Sequence, residues 1–186
     1  MKPIIIGISG KAGSGKDTVA DILVKEFGFK KFVFADALKE MVMKHFGLTY
    51  EECYGKKTEC SRRILQGLGG GFVRQEIDEW YWIKQLDKKI TSYLKKYPQS
   101  KIVISDVRYK NEYKSIKNKF GTVIYDRGLT IRIERKASKI ECGINHASET
   151  ELDNITDWDL VIHNDHDLIT LKELVRKEAL ERGWDK

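Results

Sequence analysis

The chain has 186 residues, 33% of them charged, and a mean hydropathy of −0.46. That length fits one domain, residues 1–186, able to bury a core without staples. The apolar run near the N-terminus, Pro3 to Ile8, is too short for a membrane span or a secretory leader.

The net charge of +6 allows a nucleic acid, a polyanionic small ligand or a lysine-rich surface. Lys84, Lys88, Lys89, Lys95 and Lys96 spread around one predicted helix and read as a solvated face. Cys53, Cys60 and Cys142 are odd in number and form no C-x-x-C pair. They read as free thiols in a reducing cytoplasm, not as a disulfide framework or a zinc site.

In chain order, Ile4 to Ser9 is a continuous apolar run of the kind a strand covered on both faces needs. Lys16 to Phe27 predicts a helix with Val19, Ile22, Leu23 and Phe27 on one stripe and Gly28 as its C-cap. Lys31 to Phe34 predicts a short strand. Asp36 to Phe46 predicts a helix with Leu38, Met41, Val42 and Phe46 inward. Leu48 to Cys60 reads as an irregular excursion. Ser61 to Leu68 reads as a helix broken at Gly69-Gly70-Gly71, and Ile77 to Tyr97 as a long helix stopped by Pro98. A strand at Lys101 to Ser105 and a helix from Tyr109 to Lys119 follow. Two β-like runs, Thr122 to Tyr125 and Thr130 to Ile133, precede a last strand at Leu160 to His163 and a terminal helix from Leu168 to Arg182. Alternating strand and helix is the pattern of an α/β fold, an open parallel sheet with helices on both faces in three layers.

The segment Gly10-Lys11-Ala12-Gly13-Ser14-Gly15-Lys16 matches G-x-x-x-x-G-K and stands between a strand and a helix, the context that the phosphate-binding motif requires. Gly10, Gly13 and Gly15 permit positive φ, so the N–H groups from Ala12 and Ser14 to Thr18 can wrap phosphate oxygens at a helix N-terminus. Lys16 would reach the β- and γ-phosphates of ATP during transfer. The usual Ser or Thr after the lysine is replaced by Asp17, followed by Thr18. Asp17 is therefore expected to hold Mg²⁺, directly or through water, with Thr18 on the α-phosphate; the other reading makes Asp17 a partner of the helix N-terminus.

Asp106 ends the apolar strand Ile102 to Ser105, where open α/β sheets gather their ligands. It is a candidate for holding Mg²⁺ through water or orienting the acceptor, with an N-cap of the next helix as the alternative. Arg108 follows closely, and Arg62, Arg63, Arg74, Arg132 and Arg135 complete the guanidinium groups available to clamp phosphates. Lys16, Asp17, Arg108, Arg132 and Arg135 are the candidate catalytic side chains.

The loop GxxxxGKDT, FADALKE, RRILQGLGGGFVRQEIDEWYWIK, ISDVRYKNE, HASETELD and DLVIHND together resemble the bacteriophage-type deoxynucleoside monophosphate kinases. An animal-type phosphomevalonate kinase is similar too. The resemblance implies a P-loop kinase fold with a five-stranded parallel core, a monophosphate-binding region at about 36–97 and a small lid at about 132–150. It implies acceptor contacts from Asp36, Lys39, Arg63, Gln66, Arg74, Trp82, Asp106 and Arg108. Trp82 would be a base-stacking face unless it is core. It also implies lid arginines from Arg132 and Arg135, and adenine beside Asn164. Gly70-Gly71 replaces the family's usual G-T-[DE], and the Leu48 to Cys60 excursion is short; both bear on acceptor choice.

The reaction this implies is ATP + dNMP → ADP + dNDP with Mg²⁺, in the cytoplasm. The partners are ATP and a small phosphorylated acceptor, with no membrane or nucleic acid; a homodimer is the remaining partner considered. A phosphomevalonate-type kinase or a non-kinase NTPase switch are the alternatives. A guanine-binding N-K-x-D is absent, since Asn118-Lys119-Phe120-Gly121 lacks the aspartate, and no nucleic-acid module is present.

Overall fold

The computed structural model describes residues 3–118, 127–136 and 147–185. Five strands, β1 (Ile4–Gly10), β2 (Lys30–Phe32), β3 (Lys101–Val107), β4 (Arg127–Glu134) and β5 (Leu160–His163), lie in the order β2-β3-β1-β4-β5 with every pairing parallel. This bears out the expected open α/β sheet. β1 is central because its side chains must be covered on both faces. Ile6 and Ile8 point to one face, against Val19 and Leu23 of α1 (Lys16–Phe27) and Leu171 and Val175 of α8 (Leu168–Glu181). Ile5 points to the other, with Ile102 and Ile104 of β3, Ile83, Leu86 and Ile90 of α5 (Tyr81–Lys96), and Tyr113 and Ile116 of α6 (Lys110–Lys117). Each such side chain contributes about 1.5–3 kcal/mol on burial.

Between β2 and β3 the chain builds a helical block around a third core of Leu38, Val42, Cys53, Leu65, Val73 and Trp82. It comprises α2 (Ala35–Phe46), α3 (Tyr50–Tyr54), α4 (Glu59–Gln66), a π-helix (Gly67–Ile77) and the start of α5. The remaining element among the described residues is the short α7 (Ala147–Thr150).

Several expectations need correction in this block. The stretch read as irregular holds α3, started by a reciprocal cap in which Glu52 N–H donates to Thr49 Oγ1 and Thr49 N–H to the Glu52 carboxylate. Cys53 on that helix is fully buried. The glycine run does not break the helix but widens it into the π-helix. Gly69 lets α2 approach closely: a Cβ there would stand 2.6 Å from Leu38 Cδ2 and oblige that side chain to shift. The Gly69 carbonyl accepts from Arg74 Nε and from Trp82 Nε1. Asp78, extended, ends the π-helix and its carboxylate accepts from Trp80 N–H, so α5 begins at Tyr81 and not at Ile77. Phe46, expected inward, is 56% exposed.

β2 stops at Phe32 because the Phe34 N–H is drawn to the Asp106 carboxylate and α2 starts at Ala35. β3 extends to Val107, which pairs with Ser9, and β4 begins at Arg127, which pairs with Ile4. The run Thr122 to Tyr125 lies outside the described residues. Among those described, no helix is long and apolar enough to cross a membrane.

Candidate active site

β1 delivers the glycine loop to the carboxyl edge of the sheet. Ser14 N–H donates to Lys11 O at 3.1 Å, and Gly13 and Gly15 have φ of 76° and 97°. Gly15 is the N-cap of α1 and supplies no side-chain cap, which leaves the first N–H groups of that helix to an anion. The Lys16 side chain lies along the loop with Nζ 3.3 Å from Lys11 O, and the residue is only 6% exposed. Burial pushes the Lys16 pKa down and Arg108 pushes the same way, against Asp17, Glu149 and Asp106. The ammonium is thus short of compensation, the condition in which a phosphate gains most from it.

Asn164, expected at the adenine, sits under the loop. Its Nδ2 donates to Ser14 O at 2.8 Å, its N–H donates to Glu134 O, and it is 6% exposed. A Cβ on Gly15 would run into that amide, at a φ that alanine resists. Gly15→Ala is therefore expected to destabilise the fold by about 2 kcal/mol and to abolish measurable ATP binding. Calorimetric titration alongside thermal melting checks this, and wild-type affinity in the variant would refute the interlock.

Asp17 Oδ1 accepts from Ser105 Oγ at 3.1 Å and from Lys31 Nζ at 3.0 Å, with the Asp17 side chain 68% exposed. Partial desolvation raises its pKa, but Lys31, Ser105 and Lys16 outweigh it and hold the carboxyl below its usual value. Among the described residues no three His, Cys, Asp or Glu side chains form a metal cage. Mg²⁺ keeps most of its water in sites of this kind, so an exposed ionised carboxylate beside the loop fits it. Asp106 has another task. Its two oxygens accept from Phe34 N–H at 2.7 Å and Ala35 N–H at 3.0 Å, capping α2. Desolvation raises its pKa against those bonds and against Arg108 and Lys39. The helix that follows Asp106 in sequence is started instead by Glu112, which accepts from Arg108 N–H and Tyr109 N–H.

The capped end of α2 presents Asp36 and Lys39. Tyr54 Oη donates to Asp36 Oδ1 at 3.0 Å, Lys39 Nζ lies 4.1 Å from the centre of the Tyr54 ring, and Tyr50 stacks on Tyr54 at 4.6 Å. Lys57 borders the same basin: it is exposed on the surface, and partial desolvation together with the fields of Lys39, Arg108 and Arg62 lowers its pKa. Lys57 and Tyr54 carried no motif in the sequence; only the Thr49–Glu52 cap hinted at a helix that would aim Tyr54. Of the α4 pair, Arg62 is partly buried and within the field of Lys57, whereas Arg63 and Gln66 are exposed.

Arg74 and Trp82 lie inside the helical block. Arg74 pairs with Glu112, donates to Gly69 O and Asn111 Oδ1, and stacks on Tyr109 at 3.9 Å. Trp82 is 3% exposed, the core alternative for that residue.

Arg108 pairs with Glu149, and Glu149 Oε2 accepts Ala12 N–H at 2.9 Å. Arg132 donates to Ser9 Oγ at 3.2 Å and to Asp153 at 3.0 Å, while Lys11 pairs with Asp153 at 2.8 Å. Beyond the loop, Lys11, Ser14, Arg132, Arg135, His163 and Asp165 line a cleft of ≈ 340 Å³. Thr18 is partly buried at the start of α1. His146 and much of the expected lid fall outside the described residues.

Residues 52–175 match the family model described as deoxynucleotide monophosphate kinase. A protein of Acanthamoeba polyphaga mimivirus, provisionally named a deoxynucleotide monophosphate kinase, is 33% identical over 181 residues, covering 87% of this chain and 88% of that protein. The dephospho-CoA kinase of Borreliella burgdorferi is 35% identical over 74 residues, 36% of this chain and 34% of that one. Among solved structures, a sugar kinase from Janibacter sp. HTCC2649 superposes with a TM-score of 0.51 at 16% identity, over 97% of this chain and 94% of that one. Shikimate kinase from Aquifex aeolicus gives 0.50 at 15% identity, over 98% and 99%. At these identities the two structures speak for the fold alone.

Proposed function

Because the chain belongs to the deoxynucleotide monophosphate kinase family, and is thus a phosphotransferase with ATP as co-substrate, we propose that it phosphorylates a dNMP held between the glycine loop and the Lys39–Lys57–Arg62–Arg108 basin. The observation that carries this reading is geometric: Glu149 ties Arg108 to the Ala12 N–H of the glycine loop, and Asp106 at the end of β3 caps the helix from which Lys39 projects over the Tyr54 ring, so cations from β3 and α2 flank the loop where a second phosphate would lie.

The donor triphosphate lies on the N–H groups of Ala12 to Thr18, with Gly10, Gly13 and Gly15 allowing the approach and its nucleoside in the cleft near Arg135 and His163. Asn164 shapes that region by holding Ser14. A phosphate oxygen of the acceptor bonds to the γ-phosphorus as the bond from that phosphorus to the β–γ bridging oxygen breaks, and ADP leaves. The acceptor phosphate is its own nucleophile, so the side chains position and neutralise. Lys16 spans the β- and γ-phosphates. Arg108, between loop and basin, serves both substrates, and Arg132 on β4 and Arg135 just after it meet the donor. Asp17 would hold Mg²⁺, which when bound neutralises charge on the phosphoryl oxygens. Asp106 acts on the acceptor by fixing the α2 end from which Asp36 and Lys39 project. Arg63 and Gln66 bound the outer edge of the acceptor region; Arg74 and Trp82 support it from within.

ADP release coupled to a reporter, measured across dNMPs, NMPs and phosphomevalonate, tests this. Acceleration by at least one dNMP is expected; turnover indifferent to every nucleotide acceptor would refute the reading. Lys57→Ala is expected to raise the acceptor KM about tenfold, the loss of one charge-assisted bond, and to leave the ATP KM within about twofold. An equal rise in both would remove Lys57 from the acceptor seat.

A further inference from the structure

The acidic stretch Glu149–Asp153 meets the cationic loop in a particular way. Glu149 Oε2 takes the Ala12 N–H, a donor of the phosphate-binding loop, at 2.9 Å, while Oε1 pairs with Arg108. Four residues on, one oxygen of Asp153 takes Lys11 and the other takes Arg132. Two carboxylates from one segment thus engage a loop N–H and three cations, all groups that a triphosphate would seek. The Glu149 side chain is only 15% exposed, so this is a seated contact and not a surface encounter.

We infer that Glu149 and Asp153 set the affinity for the donor by standing in for its phosphates until ATP displaces them. The inference rests on the loop being the seat of the ATP phosphates. One N–H cannot serve a carboxylate and a phosphate at full strength together, and like charges at contact distance repel, so binding must release Glu149. The apparent affinity is reduced by the fraction of molecules in which the seat is filled from within. The same stand-in keeps the loop's cations compensated when no nucleotide is present, so Arg132, buried but for 10% of its side chain, and partly buried Arg108 are not left unpaired.

The test is calorimetric titration of ATP and, separately, of inorganic pyrophosphate, without acceptor, into wild type, Glu149→Gln, Asp153→Asn and Glu173→Gln. Gln keeps an oxygen for Ala12 N–H but loses the charge that pairs with Arg108. Glu149→Gln is expected to bind both ligands about tenfold more tightly, and Asp153→Asn about threefold. Glu173, exposed on α8, controls for net charge and should leave both constants within about 1.5-fold of wild type. Unchanged or weaker binding in Glu149→Gln overturns the inference, as does equal tightening in Glu173→Gln. Should Glu149→Gln not fold, Asp153→Asn decides by the same criterion. Wild type that binds neither ligand refutes the loop as the phosphate seat, and the inference with it. Wild type that binds both, with no tightening in the variants, refutes the inference alone.

Discussion

Lys16→Ala is expected to lower kcat/KM by about 10³-fold or more while leaving the melting temperature within a few degrees of wild type. The Lys16 side chain is buried along the loop with the Lys11 carbonyl 3.3 Å from its Nζ, and desolvation and Arg108 both depress its pKa. A desolvated cation gains most where negative charge arrives, which in this reaction is the transferring phosphoryl group. Removing it takes away an interaction stronger in the transition state than in the ground state, so kcat should carry most of the loss and the ATP KM less. Because burial already opposes the charged form, alanine removes a desolvation cost along with the charge, and folding should not suffer. Single-turnover rates with the best dNMP measure the effect. A loss below about tenfold would move the main electrostatic load to Arg108 and Arg132.

The largest effect on stability is expected away from the chemistry. Glu112 is 2% exposed and accepts from Arg74, Arg108 N–H and Tyr109 N–H. Glu112→Ala strands all three donors and leaves Arg74 buried without its carboxylate. The expected cost is about 3–5 kcal/mol, or roughly 10 °C in Tm for a chain of this length. Arg74→Met combined with Glu112→Leu should recover part of that loss by removing the orphaned guanidinium. A double variant as unstable as Glu112→Ala would place the cost in the backbone donors of α6 instead.

The Glu112 carboxyl is pushed up to about 7 by burial, against the Arg74 guanidinium and the backbone donors. A carboxyl whose folded pKa lies above its unfolded value of about 4.5 binds more protons folded than unfolded between the two. Its contribution to stability is therefore full below about 4.5 and declines as pH rises toward 7. Denaturant titrations over that window should show a downward slope in wild type that flattens in Glu112→Gln; the same slope in both would assign it to other groups.

The sheet was legible because it rests on local signals: apolar runs for strands and a glycine loop whose spacing has one physical meaning. The helices that flank it were legible from their apolar stripes. The block from Ala35 to Lys96 was less so, because its features depend on partners distant in sequence. Gly69 reads as a breaker until Leu38 is seen against it. The pairing of Arg74 with Glu112, and the bonds from Phe34 and Ala35 N–H to Asp106, join residues far apart in sequence and leave no local signal. Lys57 belongs to no motif, and only the converging fields of Lys39, Arg62 and Arg108 mark it. The loop residues kept their positions because backbone geometry, and not long-range pairing, defines them.

The central place of β1 has a consequence for how the chain is made. Its neighbours are residues 101–107 and 127–134, so β1 waits for partners encoded far downstream. Until Glu134 has left the ribosome, β1 lacks a full complement of hydrogen-bonding neighbours; until Asn164 follows, the Ser14 carbonyl lacks its donor; and until α8 follows, Ile6 and Ile8 lack part of their cover. The glycine loop is thus encoded well before the seat it forms can be completed. ATP, by binding only the finished loop, should act as a late ligand that captures the folded state and not as a guide to its formation.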